Sequence, residues 1–116
     1  MTQAPFSIPV PKLSGDIYEQ IRDTARRFAE DRVRPRAVDL DETEEFPADV
    51  YAEMAELGLF GITVPEAYGG AGLDALSYAL VMEELSRGYI GVGSLATRSE
   101  IAAELILWGG NDVQKA

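Results

Sequence analysis

The stretch from 57 to 74, LGLFGITVPEAYGGAGLD, limits what this chain can fold into more than any other. Helical periodicity lies on both sides of it and none within it. An ordered connection of this length is uncommon in a small domain. Leu59, Phe60, Ile62 and Val64 are too apolar for a solvated loop, so the connection is expected to lie buried between helices. Its glycines allow positive φ or close backbone approach where a β-carbon would clash. At most a short bridge at 62–64 is expected as sheet.

Around it the apolar residues fall at helical spacing. Ile17, Ile21, Ala25 and Phe28 make one stripe of a first helix, capped by Ser14 or Asp16. Pro35 interrupts the pattern, which Ala37, Val38 and Leu40 continue weakly. A second helix opens at Pro47, buries Val50, Met54 and Leu57, and ends on Gly58 as a left-handed cap. Asp74 caps a third, over 75–86, burying Leu76, Ala79, Leu80 and Leu85. After a break at 88–93, segments over 92–98 and 99–108 follow, separate or as one bent rod. Ile101, Leu105 and Trp108 share a face there, with Ile106 widening it and Trp108 as a core anchor. The fold class is therefore all-α, an up-and-down bundle of about five helices over 14–110, preceded by an extended arm over 1–13. Asn111 to Gln114 spell a capping box. Residues 111–116 read as the start of a helix that is not completed, so more protein is expected to follow.

Composition removes whole classes of chemistry. The 116 residues carry a net charge of −10 and no basic block, which disfavours nucleic acid and anionic membranes as partners. With no cysteine and no histidine there is no thiol nucleophile, no Ser-His pair and no common zinc ligand set. The acidic run Asp39, Asp41, Glu42, Glu44, Glu45 lacks the glycine of a calcium loop and reads as a solvated turn. Gly69, Gly70 and Gly72 match neither a dinucleotide fingerprint nor a P-loop. Glu83 and Glu84, adjacent on a helix, do not face each other, so one is expected solvated and the other paired with Arg87. The opening MTQAPFSIPVPKL has no charged leader or long apolar core, and no apolar run nears the roughly 20 residues of a membrane span. A cytoplasmic protein is expected.

The segments LGLFGITVPEAYGGAGLD and SYALVMEELSR, with WGGNDVQK further on, resemble the N-terminal helical domain of the acyl-CoA dehydrogenases, in the same order, over about 18–115. The resemblance implies a kinked first helix reaching to about residue 41. It also implies a three-domain flavoenzyme that removes two hydrogens from the α and β carbons of an acyl-CoA. FAD is held mainly by other domains, which also carry the catalytic glutamate. Electron-transferring flavoprotein is implied as a partner and a dimer or tetramer as the assembly. No catalytic, cofactor-binding or metal-ligating residue is assigned to this chain.

What the resemblance assigns to this domain is one wall of the acyl pocket. The corresponding positions are Gly93, Ser94, Thr97 and Ile101, whose spacing keeps them near one helix face. That face either walls a pocket or packs on another helix. Arg98 departs from the small or apolar type that the resemblance implies there, and reaches either a polar group of the substrate or solvent. Two alternatives stand beside the dehydrogenase: a free-standing helical interaction module of the same origin, or a related acyl-CoA oxidase or flavin monooxygenase. The 116-residue chain by itself is expected to bind neither FAD nor acyl-CoA. Gel filtration with excess FAD tests this: flavin absorbance co-eluting at one equivalent would put the cofactor site in this domain after all.

Overall fold

One helical rod carries the chain through Pro35. The computed structural model describes residues 15–116, so the expected arm and a Ser14 cap lie outside the described residues. The rod begins with α1 (Asp16–Phe28), whose N-terminal flank is Gly15 rather than an oxygen-bearing cap. It widens to a π-turn over Ala29–Val33 and tightens to a 3-10 turn over Arg34–Arg36. It then resumes as α2 (Ala37–Thr43). Proline has no N–H to donate, and its ring collides with the carbonyl four residues back. Changing pitch just before Pro35 absorbs both problems without breaking the rod. The expected kink is thus a π/3-10 junction, and the rod reaches Thr43, where Glu44 turns left-handed at φ 56°.

Three further long elements follow: α3 (Ala48–Glu56), α4 (Ala75–Gly88) and α5 (Ile90–Gly109), with a short α6 (Asp112–Lys115) after them. Pairwise contacts give their directions. Arg32 meets Glu53 and Arg36 meets Asp49, so α3 runs against the rod. Tyr18 bonds Asp74 and Arg26 bonds Glu84, so α4 runs with it. Tyr78 bonds Thr97 and Ser86 abuts Gly93, so α5 runs against α4. The arrangement is up-and-down and, among the described residues, contains no strand. The core joins Phe28 and Val33 of the rod, Val50 and Met54 of α3, Ile62, Val81 and Leu85 of α4, and Val92 and Ala96 of α5.

The 57–74 connection closes on itself. Gly58, at φ 75°, ends α3 in a Schellman motif: its N–H bonds the Ala55 carbonyl and that of Leu59 bonds the Met54 carbonyl. The amides of Ala71, Gly72 and Leu73 then bond the carbonyls of Gly61, Val64 and Ile62, at 2.8 to 2.9 Å. These bonds satisfy the backbone without forming the expected bridge. Ile62 is buried, but Leu59, Phe60 and Val64 are only half-buried, so the connection is less enclosed than expected.

Several expected core positions lie outside. Ile17 is exposed at the rim of the groove between α1 and the connection, and Leu57 is exposed beyond the last turn of α3. On α4, Leu76 and Ala79 are exposed, and the inward face is instead Ser77, Leu80, Val81, Glu84 and Leu85. The polar Ser77 and Glu84 disguised that face. The break at 88–93 shrinks to Tyr89 alone, and one uninterrupted helix replaces the two segments. Trp108 is 85% exposed rather than a core anchor. The cause is length: α5 has 20 residues against 14 in α4, so its last turns outrun their partner.

A β-carbon on Gly70 would lie 2.1 Å from the Val64 carbonyl oxygen and 2.4 Å from Val64 Cβ. Neither neighbour is the loose end of a side chain, so Gly70→Ala forces the loop apart. A loss of about 1–3 kcal/mol is expected, lowering Tm by roughly 5–20 °C. Gly69→Ala, with open space around it but φ at +86°, should lose only about 1–2 kcal/mol from backbone strain. Thermal unfolding of both variants checks this, and a Gly70→Ala protein that melts with wild type would show the contact to be dispensable.

Candidate functional site

The α4–α5 corner decides which faces of α5 are available. Asp74 caps α4, accepting from the Ser77 amide at 2.9 Å and the Ser77 hydroxyl at 2.8 Å. Asp74 also accepts from the Tyr18 hydroxyl, which fixes the start of α4 to α1. At the other end a single extended residue, Tyr89, reverses the chain. So tight a corner presses α5 onto α4, and Gly93 makes this possible: a β-carbon there would sit 2.3 Å from Ser86 Oγ.

The four residues expected as a pocket wall divide between two environments. Gly93 is buried against Ser86. Thr97 is half-buried at the margin, its hydroxyl accepting from Tyr78 at 3.2 Å and lying 3.7 Å from Met82 Sδ. Ser94 is exposed, its hydroxyl donating to the Gly91 carbonyl, and Ile101 is 56% exposed. Successive residues of an α-helix turn by about 100°. Ser94, Arg98, Ile101, Leu105 and Trp108 therefore form one ridge, and all five are open to solvent. The ridge is apolar save for the serine at its head and one cation.

No nucleophile–base pair is assembled on this ridge. The 69–72 turn is also closed to phosphate, because the amides of Gly69, Gly70, Ala71 and Gly72 already bond the carbonyls of Glu66, Pro65, Gly61 and Val64. The amides of that turn are thus not free to cradle a flavin diphosphate. Among the described residues no group of carboxylates could hold a metal ion, and the acidic run of α2 and the turn after it is exposed. An apolar groove of about 270 Å³ lies elsewhere, between Ile17 and Ile21 of α1, Leu59 and Leu73 of the connection, and Val81.

Two glutamates are buried, for opposite reasons. Glu84 is held by Arg26 of α1 through a two-pronged contact at 2.8 and 3.1 Å, with the expected Arg87 second at 3.2 Å. The Arg26 hydrogen bonds keep its carboxyl below the usual range. This pairing, 58 positions apart, left no mark in the local sequence, whereas Arg87 lies one turn away. Glu83 is solvated as expected. Glu100 lies on the inward side of α5, 8% exposed, and meets no cation among the described residues. Burial raises its pKa, Glu104 adds to the rise and the Thr63 backbone amide opposes it. The Thr63 hydroxyl beside this contact is itself buried without a partner among the described residues.

The folded chain thus holds a proton on Glu100 more tightly than the unfolded one. The stability this gives is full below the ordinary carboxyl value of about 4.3 and is lost as pH rises through the raised value. Glu100→Gln keeps a neutral group at every pH. Its Tm should match wild type near pH 4 and exceed it at pH 7 to 8, and a parallel pair of Tm–pH curves would contradict the burial effect.

The surroundings of this fold are known from relatives. The family model for the acyl-CoA dehydrogenase N-terminal domain matches residues 16–116. The (2S)-methylsuccinyl-CoA dehydrogenase of Cereibacter sphaeroides is 59% identical over 99 residues, covering 84% of this chain and 18% of that protein. The short-chain specific acyl-CoA dehydrogenase of Clostridium acetobutylicum is 42% identical over 99 residues, 84% of this chain and 26% of its own. The solved structure of butyryl-CoA dehydrogenase from Megasphaera elsdenii superposes with a TM-score of 0.80 at 27% identity, over 95% of this chain and 29% of that one. The chain thus spans only about a fifth to a quarter of the curated relatives it matches. On the match of helix order, central connection and sequence, it belongs to the acyl-CoA dehydrogenase family and carries that family's N-terminal domain.

Proposed function

We propose that this chain is the N-terminal part of a flavin-dependent acyl-CoA dehydrogenase acting on the α,β-bond of an acyl-CoA thioester. In this reading the ridge of α5 is one wall of the acyl pocket. The observation that carries it is the ridge itself: Ser94, Ile101 and Leu105 stand in line, exposed and uncovered by any described element, on a helix whose first turns are anchored in the core through Val92 and Ala96. An apolar face of this kind invites an apolar occupant.

FAD, when bound, accepts the hydride from the β-carbon. The closed amides of the 69–72 turn argue that it is held by parts of the protein beyond this chain. What this chain contributes is binding and exclusion of water. The Ser86–Gly93 contact fixes the ridge against α4, and Tyr78 holds the Thr97 side chain in one orientation. Gly93 and Thr97 set the position of the wall, while Ser94 and Ile101 present its surface. Electron-transferring flavoprotein as electron acceptor, and a dimer or tetramer as the working assembly, belong to the same reading.

A larger side chain on the wall should limit how deep an acyl tail can reach. Each methylene denied burial removes about 0.8 kcal/mol. Excluding three or four carbons therefore lowers relative kcat/KM on the order of a hundredfold. The full-length holoenzyme would be assayed with acyl-CoAs of rising chain length as wild type, Ser94→Phe and Thr97→Phe. Ser94 is exposed, so phenylalanine there should leave short substrates and Tm unchanged and cut activity sharply beyond one chain length. Thr97→Phe adds overpacking against Tyr78 and Met82, costing about 1–3 kcal/mol of stability on top of any such step. A uniform loss at every chain length for Ser94→Phe would take the ridge out of the pocket.

A further inference from the structure

Arg98 is one of three arginines, with Arg22 and Arg27 of α1, that meet no carboxylate among the described residues, and it is the one of the three that stands on α5. Arg26, Arg32, Arg34, Arg36 and Arg87 each meet a carboxylate. Arg98 meets none among the described residues, in a chain with 20 acidic groups against 10 basic ones. Its own helix cannot supply a partner. The positions three and four residues away are Ser94, Leu95, Ile101 and Ala102, none of them acidic. Arg98 projects from the centre of the ridge, with Ser94 before it and Ile101, Leu105 and Trp108 after it. Those three are 56%, 69% and 85% exposed.

A guanidinium in the middle of an apolar wall has a definite requirement. Once a ligand or another part of the protein covers the wall, the charge loses its water. It then needs an anion with hydrogen-bonding oxygens in reach. Guanidinium matches a carboxylate in particular, through two parallel N–H···O bonds. A fatty acyl tail brings no such group to this place. A thioester of a dicarboxylic acid does. The relative with 59% identity is by name a methylsuccinyl-CoA dehydrogenase, and a succinyl half-thioester keeps one free carboxylate.

We propose that Arg98 is a specificity-determining residue that binds the free carboxylate of a short dicarboxylic acyl-CoA. This deepens the reading of α5 as a pocket wall and rests on it. The arginine selects by what it penalises as well as by what it binds. A substrate ending in a methyl group would bury the guanidinium unpaired, so it is rejected without any steric clash.

The test uses the full-length holoenzyme and two substrates of nearly equal shape, methylsuccinyl-CoA and 2-methylbutyryl-CoA, in which a methyl group replaces the carboxylate. Wild type should prefer the first. Arg98→Gln should lower kcat/KM for methylsuccinyl-CoA by about a hundredfold and leave or raise that for 2-methylbutyryl-CoA. Arg98→Lys, which keeps the charge but not the fork, should fall between. An equal loss on both substrates, above all with a lowered Tm, would mean that Arg98 pairs with a carboxylate of the protein itself and would overturn the assignment. So would a wild-type preference for 2-methylbutyryl-CoA. Should wild type oxidise neither these nor any straight-chain acyl-CoA, the dehydrogenase reading itself falls. Activity on straight-chain substrates with no response to Arg98→Gln on methylsuccinyl-CoA removes the carboxylate site alone.

Discussion

The approach of Gly70 to the Val64 backbone is the constraint on which the rest of this structure depends. An 18-residue connection whose helical content is a single 3-10 turn, Glu66–Tyr68, exposes many peptide groups, and burying even one side of it demands that they find partners. Here they find one another. The pairs 61–71, 62–73 and 64–72 close the stretch into a compact body whose peptide groups are largely satisfied from within. Ile62 can then insert into the core as though it belonged to a helix. Without that closure α3 and α4 would be joined by a flexible tether. With it, α4 is delivered alongside the rod, starting at a capped Asp74 that Tyr18 also holds.

A second constraint fixes register along the rod. Arg26 reaches the buried Glu84, and the π-turn at Ala29–Val33 packs its Ala29 and Val33 into the same core. Removing one partner of a buried ion pair is costly because the survivor keeps its desolvation penalty. Sliding the rod by one turn would impose that penalty on Glu84. Arg32–Glu53 and Arg36–Asp49 repeat the logic more weakly at the surface, where solvent screens them. The corner at Tyr89 then leaves α5 a single way to pack, because Gly93 alone in its first turns lets the backbone touch Ser86. The ridge of α5 is what remains once that contact is made.

Much of this could be read from residue order. Helix class, the cap at Asp74, the left-handed end at Gly58 and the capping box at Asn111 all rest on interactions within a few residues, which local sequence encodes. The buried face of α4 could not be read in this way. Ser77 and Glu84 point inward because Asp74 and Arg26 satisfy them, and apolar spacing is blind to a satisfied polar group. Glycines 91 and 93 suggested a break, whereas close packing, not turning, is what Gly93 supplies. Trp108 misled for a similar reason: spacing shows which face a residue occupies, not whether a partner extends far enough to cover it. The candidate wall was located by family resemblance, and the structure divided its members by environment.

The unequal lengths of α4 and α5 have a consequence for motion. Val92 and Ala96 are locked into the core, whereas from Ile101 onward the helix rests on little besides its own hydrogen bonds and the Trp108–Glu104 contact. One continuous helix thus contains two regimes of local stability. Its first turns should exchange their amide hydrogens far more slowly than its last. Its last turns can fray and reform on their own. The transition between them falls near Arg98, so the same rod combines a fixed foundation with an end free to adjust to whatever settles on it.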